Sequence, residues 1–200
     1  MMRPAALIYL LAIAATFQMS AKVTLPPIIS DGMLLSAEKA SLWGSAKPSS
    51  QVVIKPSWTD KVTKTTAGSD GSWNVEISTG PQSSSPSSIL FTDGEETVTV
   101  SDVLVGEVWL CSGQSNMVFP VGDHTSTVSW QTGMEDAELQ LQDALYPEIR
   151  LFMVDYAISP DKPIEKCSGK WVKCTPETAF DFSAVSFIFG RTLHRALGCP

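Results

Sequence analysis

The sequence predicts two units of different fold class: an antiparallel β-sandwich-like domain over residues 22–103 and an α/β domain over residues 104–200. Short alternating segments separated by Asp-Gly pairs indicate the first unit. A nearly continuous apolar run, followed later by a helical apolar pattern, indicates the second. The 200 residues are 44% hydrophobic and 18% charged, which is typical of a globular chain and excludes global disorder.

Residues 1–21 have the pattern of a secretory signal peptide. Arg3 supplies the positive charge, Ala5 to Phe17 form the apolar stretch, and Ser20-Ala21 are small residues suited to cleavage. The apolar stretch is about 13 residues long, whereas a bilayer span needs roughly 20. We therefore expect a mature protein that begins near Lys22 and is secreted or delivered to the secretory or lysosomal lumen. A membrane anchor or a buried first helix is the alternative.

Five segments of residues 22–103 are predicted strands, because their apolar residues alternate or run together. These segments are Gln51 to Ile54, Lys61 to Thr66, Trp73 to Ile77, Ser88 to Phe91 and Thr97 to Val100. In the third segment Trp73, Val75 and Ile77 share one face, which is the period of a half-buried strand.

Turn residues separate these predicted strands. Asp31-Gly32, Asp70-Gly71 and Asp93-Gly94 supply residues that tolerate a positive φ. Pro81 to Ser88 is rich in serine and proline and is predicted to be a loop. Turn signals at intervals of about ten residues favour a small antiparallel sandwich.

The second unit is predicted to alternate strands and helices. Leu104 to Cys111 is almost continuously apolar, which is typical of a strand buried on both faces of a parallel sheet. Ile149 to Val154 is a second predicted buried strand, and Glu135 to Leu145 a helix that precedes it. Asp181 to Leu197 is the strongest predicted helix.

That last helix has both an apolar stripe and end signals. The stripe has i, i+4 spacing and consists of Val185, Phe189, Leu193 and Leu197, with Ile188 beside it. Asp181 or Ser183 can cap the start, and Gly198 suits the end.

Charge and cysteine content exclude several partners. The chain has 14 basic and 21 acidic residues, a net charge of −7, with no Lys/Arg cluster, so we expect neither nucleic acid nor an anionic membrane as partner. The cysteines are Cys111, Cys167, Cys174 and Cys199, and without paired C-x-x-C spacing they do not predict a structural zinc site. Secretion permits disulfides, and Cys167–Cys174 is the local candidate among three possible full pairings.

The candidate chemistry lies in Gly113, Gln114, Ser115 and Asn116, directly after the predicted strand that ends at Cys111. Open α/β sheets bind ligands at this position, and a glycine there permits a sharp turn whose amide N–H groups can face an anion. A serine nucleophile needs a base, usually histidine. On spacing alone, a helix N-cap serine is the alternative, because G-x-S occurs often by chance. The stretch is not the G-x-S-x-G motif either, since Met117 stands where that motif requires glycine.

The stretch L-V-G-E-V-W-L-C-S-G-Q-S-N-M, Leu104 to Met117, closely resembles the signature of sialate O-acetylesterases of the SGNH/GDSL hydrolase superfamily. Further matching stretches lie on both sides: Leu25 to Leu35, Leu42 to Ala46, Asp70 to Val75, Tyr146 to Phe152, Gly169 to Val172 and Phe182 to Leu193. The resemblance therefore covers essentially the whole mature chain.

The resemblance implies a secreted esterase that removes O-acetyl groups from sialic acids or related acetylated sugars, with Ser115 as nucleophile. Gly113, Gln114 and Asn116 are assigned to the substrate and oxyanion region around it. The implied fold is the family's β domain followed by the first part of an SGNH-type three-layer α/β domain, truncated here. Neither a metal nor an organic cofactor is implied, and no protein partner is indicated.

The two histidines do not match the family's catalytic histidine. That residue lies in an Asp-x-x-His block after the F-S-A-V helix, as do the oxyanion-hole glycine and asparagine. Val121 stands three positions before His124, and Arg191 three before His194. We predict that His194 is a solvated surface residue and His124 a loop residue, with a base function for His124 as the alternative. The competing function is a non-catalytic family member or a carbohydrate-binding β module.

Other candidates for chemistry are weaker. Cys111 is predicted to be a buried strand residue, because a catalytic thiol would need an exposed, electropositive setting. Glu135, Asp136 and Glu138 are typical of a solvated helix N-terminus, and their spacing does not indicate a facing pair of glycosidase carboxylates.

Overall fold

A computed structural model describes residues 22–162, 164 and 167–200, so the predicted signal peptide lies outside the described residues. The described chain is mostly β, with nine strands, three α-helices and one turn of 3-10 helix. Within this part of the chain, no helix is long and apolar enough to cross a bilayer.

Seven strands between residues 34 and 106 form two sheets. They are β1 (Leu34–Ser36), β2 (Glu38–Ser45), β3 (Gln51–Pro56), β4 (Thr63–Thr66), β5 (Ser72–Gly80), β6 (Ser83–Thr92) and β7 (Thr97–Gly106). One sheet has the order β1-β7-β6-β3-β4, and the other pairs β2 with β5. Apolar side chains from both sheets form a single core, with Leu42 and Trp73 from one sheet and Ile54 and Phe91 from the other.

Alternation and turn chemistry predicted this region well. Each of the five predicted strands overlaps an observed one, and Trp73 and Ile77 are buried as expected. Gly32, Gly71 and Gly94 have φ values of 80°, 82° and 93°, which confirms the predicted need for positive φ.

Two predictions about these sheets were wrong. The five-stranded sheet is mixed and not wholly antiparallel, because β1 pairs parallel to β7 with Leu34 opposite Leu104. A three-residue strand carries too little pattern to indicate its direction. The predicted loop at Pro81 to Ser88 becomes part of β6 from Ser83 onward, with irregular register. The backbone of this serine-rich segment pairs with β7. Such pairing uses backbone groups only, so exposed serines permit it as readily as apolar residues do.

The predicted strand over Leu104 to Cys111 was also wrong in its second half. β7 ends at Gly106, opposite Ser36, where its parallel partner β1 also ends. Beyond Gly106 no partner continues the ladder, and the segment leaves the sheet. Trp109, Leu110 and Cys111 are consequently exposed, Leu110 at 91%. The predicted domain boundary between residues 103 and 104 falls inside β7.

Residues 107–200 contain the remaining elements. These are α1 (Ala137–Gln142), β8 (Tyr146–Phe152), β9 (Trp171–Cys174), α2 (Pro176–Phe180) and α3 (Ala184–Leu197). β8 pairs antiparallel with β9, so the described residues hold no parallel sheet in this region, contrary to the prediction. A smaller core, which includes Val121, Leu151 and Phe187, joins the elements.

The end signals of α3 are confirmed, but its predicted apolar stripe does not face the core. The Ser183 side chain accepts a hydrogen bond from the Ser186 N–H, and Gly198 ends the helix at φ 66°. Val185, Phe189 and Leu197 are exposed, whereas Phe187 and Arg191 are buried. The Arg191 guanidinium lies 4.8 Å from the Phe187 ring centre and donates to the Gln140 side chain. These contacts turn the helix away from the orientation that its hydrophobic pattern predicts.

Candidate active site

Ser115 begins a 3-10 turn, Ser115–Met117, with Gln114 at the N-cap position. The alternative interpretation of Ser115 as an N-cap residue therefore does not describe this turn. Gly113, Gln114, Ser115 and Asn116 are all exposed. The structure thus brings all four predicted site residues together on one surface segment.

Gly113 is required by a close contact and not by a positive φ. A Cβ built on Gly113 would lie 2.5 Å from Cγ of Met117, so the missing side chain lets Met117 fold back over the loop. The Met117 N–H donates to the Gln114 carbonyl at 2.9 Å, which closes the turn. Within the described chain, the N–H groups of Ser115 and Asn116 donate to no other protein group, so both can face a ligand.

The described residues provide no base for Ser115. None of them lies within hydrogen-bonding distance of the Ser115 hydroxyl, and both histidines have other partners. A nucleophile–base pair requires heavy atoms about 2.6–3.2 Å apart. The described part of the chain therefore holds the predicted nucleophile without the group that would take its proton.

His124 is a loop residue, as predicted. Its backbone N–H donates to the Gln131 carbonyl at 2.8 Å. Its Nε2 lies 3.1 Å from Oδ1 of Asp181, and its ring packs against Phe180 with centroids 5.1 Å apart. These contacts tie the loop to the connection between α2 and α3, so they do not support the alternative of His124 as base for Ser115.

The prediction of His194 as a solvated surface residue was wrong. Only 18% of its side chain is exposed. The chain turns back at Gly198, which places the Cys199 carbonyl oxygen 2.7 Å from His194 Nδ1. The ring packs edge-on to Tyr146, and Nε2 lies 4.0 Å from Glu148. His194 therefore helps to hold the end of α3 against β8.

The four cysteines are all free in the described structure, so the candidate pair Cys167–Cys174 is not bonded. Cys174 is fully buried, and burial raises the pKa of its thiol to about 11, which makes it unreactive. Cys111 is exposed and not buried as predicted, because β7 ends before it.

The acidic residues around α1 are solvated, as predicted. Glu135, Asp136 and Glu138 are exposed, and Asp136 accepts a hydrogen bond from the Gln140 side chain. Among the residues that the structure describes, no group of three or more His, Cys, Asp or Glu side chains could hold a metal ion.

An ion cluster that joins three strands was missed by sequence reasoning. Arg150, with a side chain only 3% exposed, donates to both carboxylate oxygens of Asp102 at 2.7 and 3.0 Å, and Lys173 Nζ lies 3.1 Å from Oδ2. The hydrogen bond from Arg150 lowers the pKa of Asp102 to about 2. The cluster joins β7, the strand leading to Ser115, to β8 and β9. The available signal was an arginine inside an apolar strand, but nothing local indicates its partner 48 residues away.

The chain is similar in sequence to mammalian sialate O-acetylesterases. The human sialate O-acetylesterase is 30% identical over 192 residues, covering 86% of this chain and 34% of the human protein. The chain belongs to the sialate O-acetylesterase-like family. The mouse sialate O-acetylesterase is 35% identical over 112 residues, covering 52% of this chain and 19% of that protein. No protein-family profile matches the chain.

A solved structure supports the same family at the level of fold. The crystal structure of a carbohydrate acetylesterase from Xanthomonas citri superimposes with a TM-score of 0.78 at 27% identity. The match covers 89% of this chain and 38% of that one. The chain thus spans about a third of the length of relatives such as the human protein.

Proposed function

We propose that this chain carries the serine nucleophile, Ser115, of a secreted carbohydrate esterase that removes O-acetyl groups from sialic acids or related acetylated sugars. The observation that carries the proposal is the exposed G-Q-S-N turn, which displays Ser115 at the surface on the segment that follows β7. The names of the human relative and the Xanthomonas citri structure, a sialate O-acetylesterase and a carbohydrate acetylesterase, support the substrate class.

The proposed reaction has two steps. The Ser115 hydroxyl oxygen attacks the acetyl carbonyl carbon and loses its proton to a base, which gives a tetrahedral oxyanion. The N–H groups of Ser115 and Asn116 are free to stabilise that oxyanion. Collapse of the oxyanion breaks the bond to the sugar oxygen, which takes a proton and leaves as a hydroxyl. Water then hydrolyses the acetyl-enzyme and releases acetate.

The base in this proposal is neither His124 nor His194. His124 Nε2 is paired with Asp181, and His194 Nδ1 contacts the Cys199 carbonyl. We propose an SGNH-type α/β arrangement in which the base reaches Ser115 from a segment other than those that carry His124 and His194. General-base assistance is worth about 10²–10⁴-fold, so the 200 residues alone should have little esterase activity.

The experiment is an acetyl-ester assay on the protein expressed from its complete transcript. Ser115→Ala should lower turnover by at least about 10³-fold, because no other group supplies the attacking oxygen. Ser112→Ala, in the same exposed loop, is the matched control and should retain most of the activity. Equal losses in both variants would indicate a structural loop and contradict the proposal.

We also propose that the protein enters the secretory pathway, on the evidence of the charged, apolar and small-residue pattern in residues 1–21. N-terminal sequencing of the protein purified after expression in a secreting cell should begin near Lys22. A cytosolic product that retains Met1 would overturn this part of the proposal.

A second candidate is a saccharide-binding family member without catalysis. It is favoured by the observation that no described residue contacts the Ser115 hydroxyl as a base. The two candidates separate in the assay above. Turnover that depends on Ser115 supports the esterase, whereas binding of an acetylated saccharide without turnover, in the complete protein, supports the binding module.

A further inference from the structure

The sheet formed by β2 and β5 turns one face to the core and the other to solvent. Side chains alternate between the faces, as the pleat of a strand requires. The solvent face carries Lys39, Ser41, Trp43 and Ser45 from β2, and Ser72, Asn74, Glu76 and Ser78 from β5. This set, which we call the Trp43 face, contains one large apolar side chain among small polar and charged ones.

The indole of Trp43 is open to a ligand. Trp43 is 44% exposed. Trp73, which precedes the cross-strand partner of Trp43 in β5, lies in the core and is only 3% exposed. No other aromatic ring within the described chain packs against Trp43. Asn74 stands directly opposite Trp43 in the ladder and on the same face, and the Cβ atoms of such a cross-strand pair are about 5 Å apart.

The Trp43 face is locally neutral. Its two charged residues pair with each other, with Lys39 Nζ 2.8 Å from Glu76 Oε1. The whole chain carries a net charge of −7, which disfavours an anionic ligand. An uncharged ligand with one apolar face and a rim of hydrogen-bonding groups matches this surface.

We propose that the Trp43 face binds a neutral pyranose ring of a saccharide, separately from the Ser115 site. A pyranose presents C–H groups on its flat face, which the electron-rich face of an indole attracts, and hydroxyls at its rim. The Asn74 amide and the hydroxyls of Ser41 and Ser72 are placed to hydrogen-bond those rim hydroxyls. The choice of a carbohydrate over other flat amphipathic ligands rests on the proposed function.

The test follows the tryptophan indole N–H signals of the 200-residue chain by NMR during titration with cellohexaose, a neutral oligosaccharide. We expect the Trp43 signal to shift and the signals of Trp109 and Trp130 to stay in place. Trp43→Ala should weaken binding by about tenfold or more, and Trp43→Phe should keep most of it because the ring remains. Trp130→Ala removes another exposed tryptophan and should not change binding.

Several outcomes would overturn the inference: no binding of cellohexaose, equal binding by Trp43→Ala, or binding confined to the anionic probe 3′-sialyllactose. If Trp43→Ala fails to fold, the indole shifts and Trp43→Phe still decide the matter. Hydrolysis of a sugar-free acetyl ester by the complete protein should be the same with and without Trp43→Ala. Failure of binding and failure of esterase activity are therefore separate results.

Discussion

In residues 34–106, large apolar side chains at alternate strand positions are buried between two sheets. In residues 107–200, several large apolar side chains are exposed to solvent instead. Phe91 in β6 is 0% exposed, but Phe189 in α3 is 40% exposed and Trp109, which packs edge-on against it, is 56% exposed. The first region therefore completes its own core. The second places its apolar surface next to the segment that carries Ser115.

Different constraints determine which side chains are buried in the two regions. In the first region, the side-chain period of two and the Asp-Gly turns act locally and agree with the final sheets. In the second, tertiary contacts such as Arg191 with Phe187 and Gln140 decide which side of α3 is buried.

The largest effect is expected from truncating a buried ring of the first region. Phe91→Ala should lower the free energy of unfolding by about 3–5 kcal/mol, because it leaves a cavity between the sheets. Phe189→Ala is the matched control and should cost less than about 1 kcal/mol, because its ring is already partly solvated. Urea unfolding of both variants measures this. Equal losses would mean that the two regions are packed alike.

The next effect concerns the ion cluster that joins the regions. Asp102→Asn should cost about 3 kcal/mol of unfolding free energy, because it leaves the buried Arg150 guanidinium without its carboxylate. Asparagine also tolerates the positive φ of 56° at this position, so backbone strain is not added. Glu76→Gln breaks the exposed pair with Lys39 and should have little or no effect. An equally small loss from Asp102→Asn would show that the cluster contributes little to the stability of the two regions.

The same carboxylate predicts a pH dependence. Asp102 has its pKa lowered from 3.8 to about 2 in the folded protein, mainly by the hydrogen bond from Arg150. A lowered folded pKa contributes stability that is present above pH 4 and lost as the pH falls from about 4 to 2. The stability difference between the wild type and Asp102→Asn should therefore shrink by on the order of 2 kcal/mol over that interval. A constant difference between pH 5 and pH 2 would contradict the assignment.

The smallest effect is expected from the cap of α3. Ser183→Ala removes the hydroxyl that accepts from the Ser186 N–H and should cost about 1 kcal/mol. Ser129→Ala, at an exposed position, is the control and should be neutral. Thermal unfolding followed by circular dichroism measures both. A neutral Ser183→Ala would show that packing alone holds this helix start.

The sequence predicted those parts of the fold that depend on neighbours in the chain. The face shared by Trp73, Val75 and Ile77 and the caps of α3 are examples, because alternation and capping act within a few residues. The end of β7 at Gly106 could not be predicted, because it depends on where β1 ends, about 70 residues earlier. The apolar run continues through Cys111 and does not indicate that β7 loses its partner β1 at Gly106.

In the candidate site too, local features could be predicted from the sequence and contacts with distant segments could not. The G-Q-S-N turn was found from its residues, but the contacts of the histidines depend on distant segments. His194 could not be placed from the pattern of α3, because the carbonyl that holds it belongs to the chain after Gly198. Asp102 and Arg150 are likewise joined only by the tertiary fold.

The most direct test of the central claim is to identify the serine that reacts. The protein expressed from its complete transcript is treated with a fluorophosphonate, which bonds covalently to activated serine oxygens, and the modified peptide is sequenced by mass spectrometry. The account predicts that the label lies on Ser115, that acetyl-ester turnover falls in proportion to labelling, and that Ser115→Ala takes up none. A label on Ser112 or another serine, with turnover lost in step, would contradict it.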